Sequence, residues 1–203
     1  GLVGSDGETH QGIFDLSYLS SIPNMHIMAP KNKWELSDML KFAVAFQGPI
    51  ALRYPRGEAY DELREYRDPI QFGKAEWIYH ERGIALVAVG SMVKTALAVR
   101  GTLTQKGFAC SVINARFVKP VDTEILDEAA KDHRLIVTME ENVASGGFGE
   151  KVRSYLDKTH PEKKLLAIHI PDEYVEHGNV EILRREVGID AGTIVDRILE
   201  LVR

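Results

Sequence analysis

The sequence predicts an α/β protein: a three-layer α/β/α domain around a mostly parallel sheet, preceded by part of a second α/β unit. Two observations carry that prediction. Continuous apolar runs such as "IALVAVG" at 84–90 suit strands buried on both faces. Segments with helical spacing alternate with those runs, the pattern of strand–helix–strand crossovers.

Residues 1–12 are polar and glycine-rich and read as loop. "FDLSYLSSIP" follows, with Phe14, Leu16, Tyr18 and Leu19 as partly buried anchors. "MHIMAP" is a short strand stopped by Pro30. Asn32 then stands as an N-cap with Glu35 at the capping-box position. Leu36, Met39, Leu40, Ala43 and Val44 line one helical face behind it. At "QGP" Gly48 suits a left-handed cap and Pro49 forbids continuation. "IALRYP" is the next strand, so residues 25–54 form a parallel crossover unit.

The stretch 57–69, "GEAYDELREYRDP", is charged and ends in proline. It opens a linker assigned to 57–79, with Trp77, Ile78 and Tyr79 as an edge segment entering the second domain at 80–203. There "IALVAVG", "ACSVINA", "RLIVTME" and "LLAIHIP" read as strands. Helices are expected from about Val93 to Gly107, after an Asp122 N-cap, from "GGFGE" onward, and over 180–187 and 191–202.

Composition narrows the function classes. Hydrophobic residues make up 44% and charged residues 27% of the 203 positions, so a packed core is expected. The net charge of −5, without a dense basic run, argues against nucleic acid as a partner. No apolar run approaches the roughly 20 residues that span a bilayer, and no signal-peptide pattern is visible. The single Cys110 excludes an internal disulfide and fits a reducing, cytoplasmic setting. A zinc site is not expected, because the histidines show no ligand spacing. Gly1 stands inside a loop, so the sequence is expected to be an excised piece.

Three motifs bear chemistry. In "DGETHQG", His10 is the side chain that titrates near neutrality and could move protons, with Asp6 to orient it; an ordinary surface turn is the plainer alternative. "RYPRG" at 53–57 follows a predicted strand, where ligands gather in open α/β sheets. Its two arginines could clamp a phosphate or carboxylate, or could simply be solvated. "EENVASGGFGE" joins a strand to a helix, but its spacing matches no phosphate-binding fingerprint, and tight strand–helix packing is the better reading. His169 and His177 read as structural.

Together, "GLVGSDGETHQGIFDLSYLSSIPNMHIMAP", "ALRYPRG", "INARFVKP" and "IPDEYVEHG" resemble the 1-deoxy-D-xylulose-5-phosphate synthase family, thiamine-diphosphate enzymes related to transketolase. The resemblance implies condensation of pyruvate with glyceraldehyde 3-phosphate, loss of carbon dioxide, and a product that feeds isoprenoid, thiamine and pyridoxal synthesis. It implies a homodimer of three-domain chains using thiamine diphosphate and Mg²⁺. Residues 1–56 would be the end of the pyrimidine-binding domain and 80–203 the C-terminal domain. His10 and Asp6 match active-site residues, and Arg56 matches an arginine that grips the aldehyde's phosphate. The family's activating glutamate and its diphosphate and magnesium motifs have no counterpart here, so this piece alone is expected to be inactive and to bind no cofactor. Two other readings stand beside this one: a 2-oxo acid dehydrogenase β-subunit of the same architecture, and a non-catalytic assembly module.

Overall fold

The computed structural model describes residues 1–202. The chain opens with a loop that carries a 3₁₀ turn over Gly7–His10, followed by helix α1 (Asp15–Ser20). Strand β1 (His26–Met28), helix α2 (Lys33–Ala45) and strand β2 (Ile50–Leu52) come next, and β1 and β2 pair in parallel. Asn32 caps α2 by accepting the Glu35 amide at 2.9 Å. The remaining elements are β3 (Glu76–Tyr79), β4 (Gly83–Ala88), α3 (Met92–Gln105), β5 (Cys110–Asn114), β6 (Phe117–Lys119), α4 (Thr123–Asp132), β7 (His133–Val143), α5 (Phe148–Thr159), β8 (Lys164–Ile170), α6 (Val180–Glu186) and α7 (Ala191–Val202).

The larger sheet has the order β3-β5-β4-β7-β8. All its pairings are parallel except that of the edge strand β3 with β5. Alternation along β4 sends Ile84, Leu86 and Ala88 into one core and Ala85 and Val87 into the other. Helices α3 and α7 cover the first face, with Val99, Leu103, Ile194 and Ile198 buried there. Helices α4 and α5 cover the second, with Leu126, Ala129, Val152 and Leu156. These are the three layers the apolar runs require.

The smaller sheet has the order β2-β1-β6, and β6, which comes from the C-terminal part of the chain, runs antiparallel to β1. Beneath that junction lies a buried ionic cluster. Lys31 Nζ donates to Glu35 at 3.0 Å and Glu76 at 2.6 Å, and Arg116 donates to Glu35 at 2.8 Å and Glu76 at 2.7 Å. Two cations face two anions, and the Asn114 amide adds bonds to Glu35 at 2.9 and 3.0 Å. Arg116 holds a left-handed backbone, φ 53°, within this cluster.

Several expectations change. The polar stretch 1–12 is not all irregular, since Gly7–His10 makes a 3₁₀ turn. Tyr18 is 56% exposed and anchors nothing, because α1 turns Leu16, not Tyr18, into the core. On α2 only Met39 of the expected apolar face is buried; Leu40 is 51% and Val44 87% exposed. Strand β7 also runs past Glu140 to Val143, with the polar residues at its end satisfied internally.

Candidate active site

The 1–12 loop and the turn after β2 form two walls of one cleft at the carboxyl ends of β1 and β2. It is a hollow of about 450 Å³ lined by Asp6, Thr9, His10, Gln11 and Asp15 on one side and by Tyr54 and Arg56 on the other. The three residues singled out in the sequence, Asp6, His10 and Arg56, therefore meet in space. Asp6 and Arg56 form an ion pair across the cleft. His10 is exposed, and Thr9 Oγ1 lies 2.8 Å from its Nδ1. With that hydroxyl donating, the ring carries its proton on Nε2 and can present it to a ligand.

Arg53, the other arginine of "RYPRG", is not a second clamp at the cleft. It is 7% exposed, and its Nη2 donates to the carbonyls of Glu141 at 2.7 Å and Gly12 at 3.3 Å. It ties the strand end to the loop.

The end of β7 supplies three buried polar residues in succession, and the sequence reading gave none of them a role. Glu140 accepts the amides of Phe148 at 2.8 Å and Gly149 at 2.7 Å, capping α5. A Cβ at position 147 would lie 2.7 Å from that carboxylate, so the glycine there permits the close approach. The Phe148 and Gly149 amides of "GGFGE" are thus taken by a carboxylate of the same chain, an arrangement of tight strand–helix packing. Burial pushes Glu140 up to about 7, although both amides and Lys151 pull the other way. Glu141 accepts Arg184 at 2.9 and 2.7 Å and Ser91 at 3.1 Å. Burial acts to raise its pKa, but Arg184 and Arg53 outweigh burial and hold it below the ordinary value. Asn142 caps α1 by accepting the Leu16 amide at 3.1 Å and donates to Ser17 at 2.8 Å. The signal for this hub was the polar triple "EEN" at the end of an apolar strand.

The segment "IPDEYVEHG" closes the loop's outer side. Gly178 N donates to Gly4 O at 2.8 Å, and Gln11 Nε2 reaches Glu176 O at 3.5 Å. His177 is exposed and lies against Gly7 of the loop. Cys110 is buried, and burial pushes its thiol up to about 12.

The residues at the cleft do not complete a cofactor site. Among the described residues no group of three or more His, Cys, Asp or Glu is placed to hold a metal ion. The amides at the start of α5, where a diphosphate would sit, are the ones Glu140 occupies. What is present is one polar rim with a cation and an imidazole.

Comparison with known proteins gives the family. The transketolase C-terminal domain matches residues 73–194, and the transketolase pyrimidine binding domain matches residues 1–61. The chain belongs to the transketolase family. It is 50% identical over 199 residues to 1-deoxy-D-xylulose-5-phosphate synthase of Lachnoclostridium phytofermentans, covering 98% of this chain and 32% of that protein. It is 45% identical over 202 residues to the same enzyme of Clostridium perfringens strain SM101, covering 99% and 33%. The chain thus spans about a third of the length of these relatives. Among solved structures it matches a split-gene transketolase described as an inactive β4 tetramer, with TM-score 0.86 and 25% identity over 95% of this chain and 62% of that one. The fold of Campylobacter jejuni transketolase is also shared, with TM-score 0.74 and 19% identity over 97% of this chain and 29% of that one. Among the described residues no helix is long and apolar enough to cross a membrane.

Proposed function

We propose that this chain is the acceptor-binding part of a 1-deoxy-D-xylulose-5-phosphate synthase, a transferase that joins pyruvate to glyceraldehyde 3-phosphate for isoprenoid, thiamine and pyridoxal synthesis. The observation that carries the reading is the convergence of Asp6, His10 and Arg56 on one hollow, in a chain 50% identical to an enzyme of that name. Arg56 anchors the aldehyde's phosphate through its guanidinium fork. That leaves the aldehyde carbon facing inward and its oxygen within reach of His10, which holds or moves the proton there. Asp6 holds Arg56 in the absence of substrate and yields it to the phosphate.

Thiamine diphosphate and Mg²⁺ belong, on this reading, to the rest of a longer cytoplasmic, homodimeric protein. The split-gene relative described as an inactive β4 tetramer, of which this chain covers 62%, supports the expectation that a piece of this kind does not turn over. Residues 1–56 are the end of the pyrimidine-binding domain, 57–79 the linker, whose last residues enter the larger sheet as β3, and 80–203 the C-terminal domain. In the full-length protein, His10→Ala is expected to lower kcat, and Arg56→Ala to raise KM for glyceraldehyde 3-phosphate. Kinetics equal to the parent's would remove the site assignment. Calorimetry of this chain with thiamine diphosphate and Mg²⁺ is expected to show no micromolar binding.

A further inference from the structure

The two walls of the cleft share one anchor, and it lies in the C-terminal part of the chain. The Gly12 amide donates to the Gly1 carbonyl at 2.9 Å and closes the loop that carries Asp6 and His10. Arg53, just before Arg56, donates to the Gly12 carbonyl at that closure and to the Glu141 carbonyl beneath it. Above Gly1 sits the Glu141 carboxylate. A Cβ at position 1 would overlap its Oε2 and come within 2.8 Å of Arg53 Nη2, so loop, carboxylate and guanidinium are packed without slack. Arg184, on α6, fixes that carboxylate with a two-nitrogen fork, and Ser91 holds the other oxygen. The Glu141 side chain is 1% and the Arg184 side chain 16% exposed, so solvent screens the pair little.

We infer that Glu141 and Arg184 are positioning residues for the cleft: they fix the base of the 1–12 loop and the Arg53 turn, and so set the separation of His10 and Arg56. Neither touches the ligand. The inference rests on the proposed function for its kinetic consequence but not for its structural one. A small change in that separation matters because a displacement of about 1 Å can cost about 100-fold in rate.

The test uses the full-length protein with Arg184→Ala and, to keep a buried cation beside Glu141, Arg184→Lys. Hydrogen exchange is read on the loop at 1–14, on 53–57 and on β4. For Arg184→Ala the first two segments are expected to exchange at least about fivefold faster while β4 is unchanged. Arg184→Lys should loosen them less. KM for glyceraldehyde 3-phosphate is expected to rise about tenfold in Arg184→Ala, with KM for pyruvate within about twofold and partial rescue by lysine. Unchanged exchange in both segments would overturn the inference, as would β4 loosening in step with them in both variants. A parent that does not use these substrates would sink the proposed function and leave the exchange result to decide the positioning role.

Discussion

The two sheets differ in what covers them. The five-stranded sheet is closed on both faces by α3 and α7 on one side and α4 and α5 on the other. The three-stranded sheet borrows β6 from the other half of the chain, and its helix α2 leaves Leu40 and Val44 in water. The cleft sits at the thinly covered end: Asp6 and His10 precede β1, and Arg56 follows β2. The cleft's support is therefore imported. Arg53 ties its loop to the Glu141 carbonyl, Asn142 caps α1 behind the loop, and its sheet is joined through the Lys31–Glu35–Glu76–Arg116 cluster to the part of the molecule that holds a large core.

Breaking that import should have the largest effect. Arg116→Ala leaves Glu35 and Glu76 facing Lys31 alone in a buried setting. The expected loss is about 4 kcal/mol, the usual cost of an uncompensated buried charge. Trp34 lies on α2 and Trp77 on β3, so each sheet has its own reporter. Single-tryptophan versions made with Trp77→Phe or Trp34→Phe should give coincident urea transitions in the parent background. In Arg116→Ala the Trp34 transition should come first. Coincident transitions in the variant would mean that the two sheets hold together without the cluster.

Leu86→Ala tests the other side of the comparison. Leu86 is fully buried in the core under α3 and α7. Its truncation is expected to cost about 3 kcal/mol, through lost transfer energy and the cavity left behind. Both tryptophan reporters should shift together, because the smaller sheet depends on the larger. A shift confined to Trp77 would deny that dependence.

A smaller effect is expected from Glu140, which caps α5 beside the loop. Burial raises it from its ordinary 4.5 to about 7. Between those values the folded protein holds a proton that the unfolded chain has released. The group's contribution therefore declines as pH climbs from about 4.5 to about 7 and is level above that. Glu140→Gln removes this slope. The gap between stability at pH 5 and at pH 8 should shrink by the order of 2 kcal/mol relative to the parent. An unchanged gap in urea titrations would show that Glu140 stays charged throughout.

The repeating elements were legible because their signals are local. "IALVAVG" became β4, Asn32 and Asp122 are the caps their spacing announced, and Gly107 follows the end of α3. The cleft residues were legible through short polar motifs and a family resemblance. What was hidden depends on distant partners. Glu35 looked like a capping-box residue, but its carboxylate is held by Arg116, 81 positions away. The three residues of β6 carry no strand signal of their own, since β1 creates that strand by pairing with it. Glu141 and Asn142 looked too polar to continue β7; Arg184, Ser91 and the α1 amide make their burial tolerable.

The smallest expected effect concerns the face that looked most like core. Leu40 and Val44 lie at helical spacing with Met39, and a reader of the sequence would bury all three. Val44 is 87% exposed, so Val44→Ser removes almost no apolar surface from contact and only slightly alters helix propensity. In this chain the change in stability should stay within about 0.5 kcal/mol, the usual range for surface sites. The full-length protein sharpens the point. If segments absent from this chain cover α2 there, the same substitution should cost about 1 kcal/mol or more, because a buried methyl pair is replaced by a hydroxyl. Equal, negligible costs in both settings would show that α2 faces water in the whole protein as well. The apolar stripe would then not mark where the rest of the pyrimidine-binding domain packs.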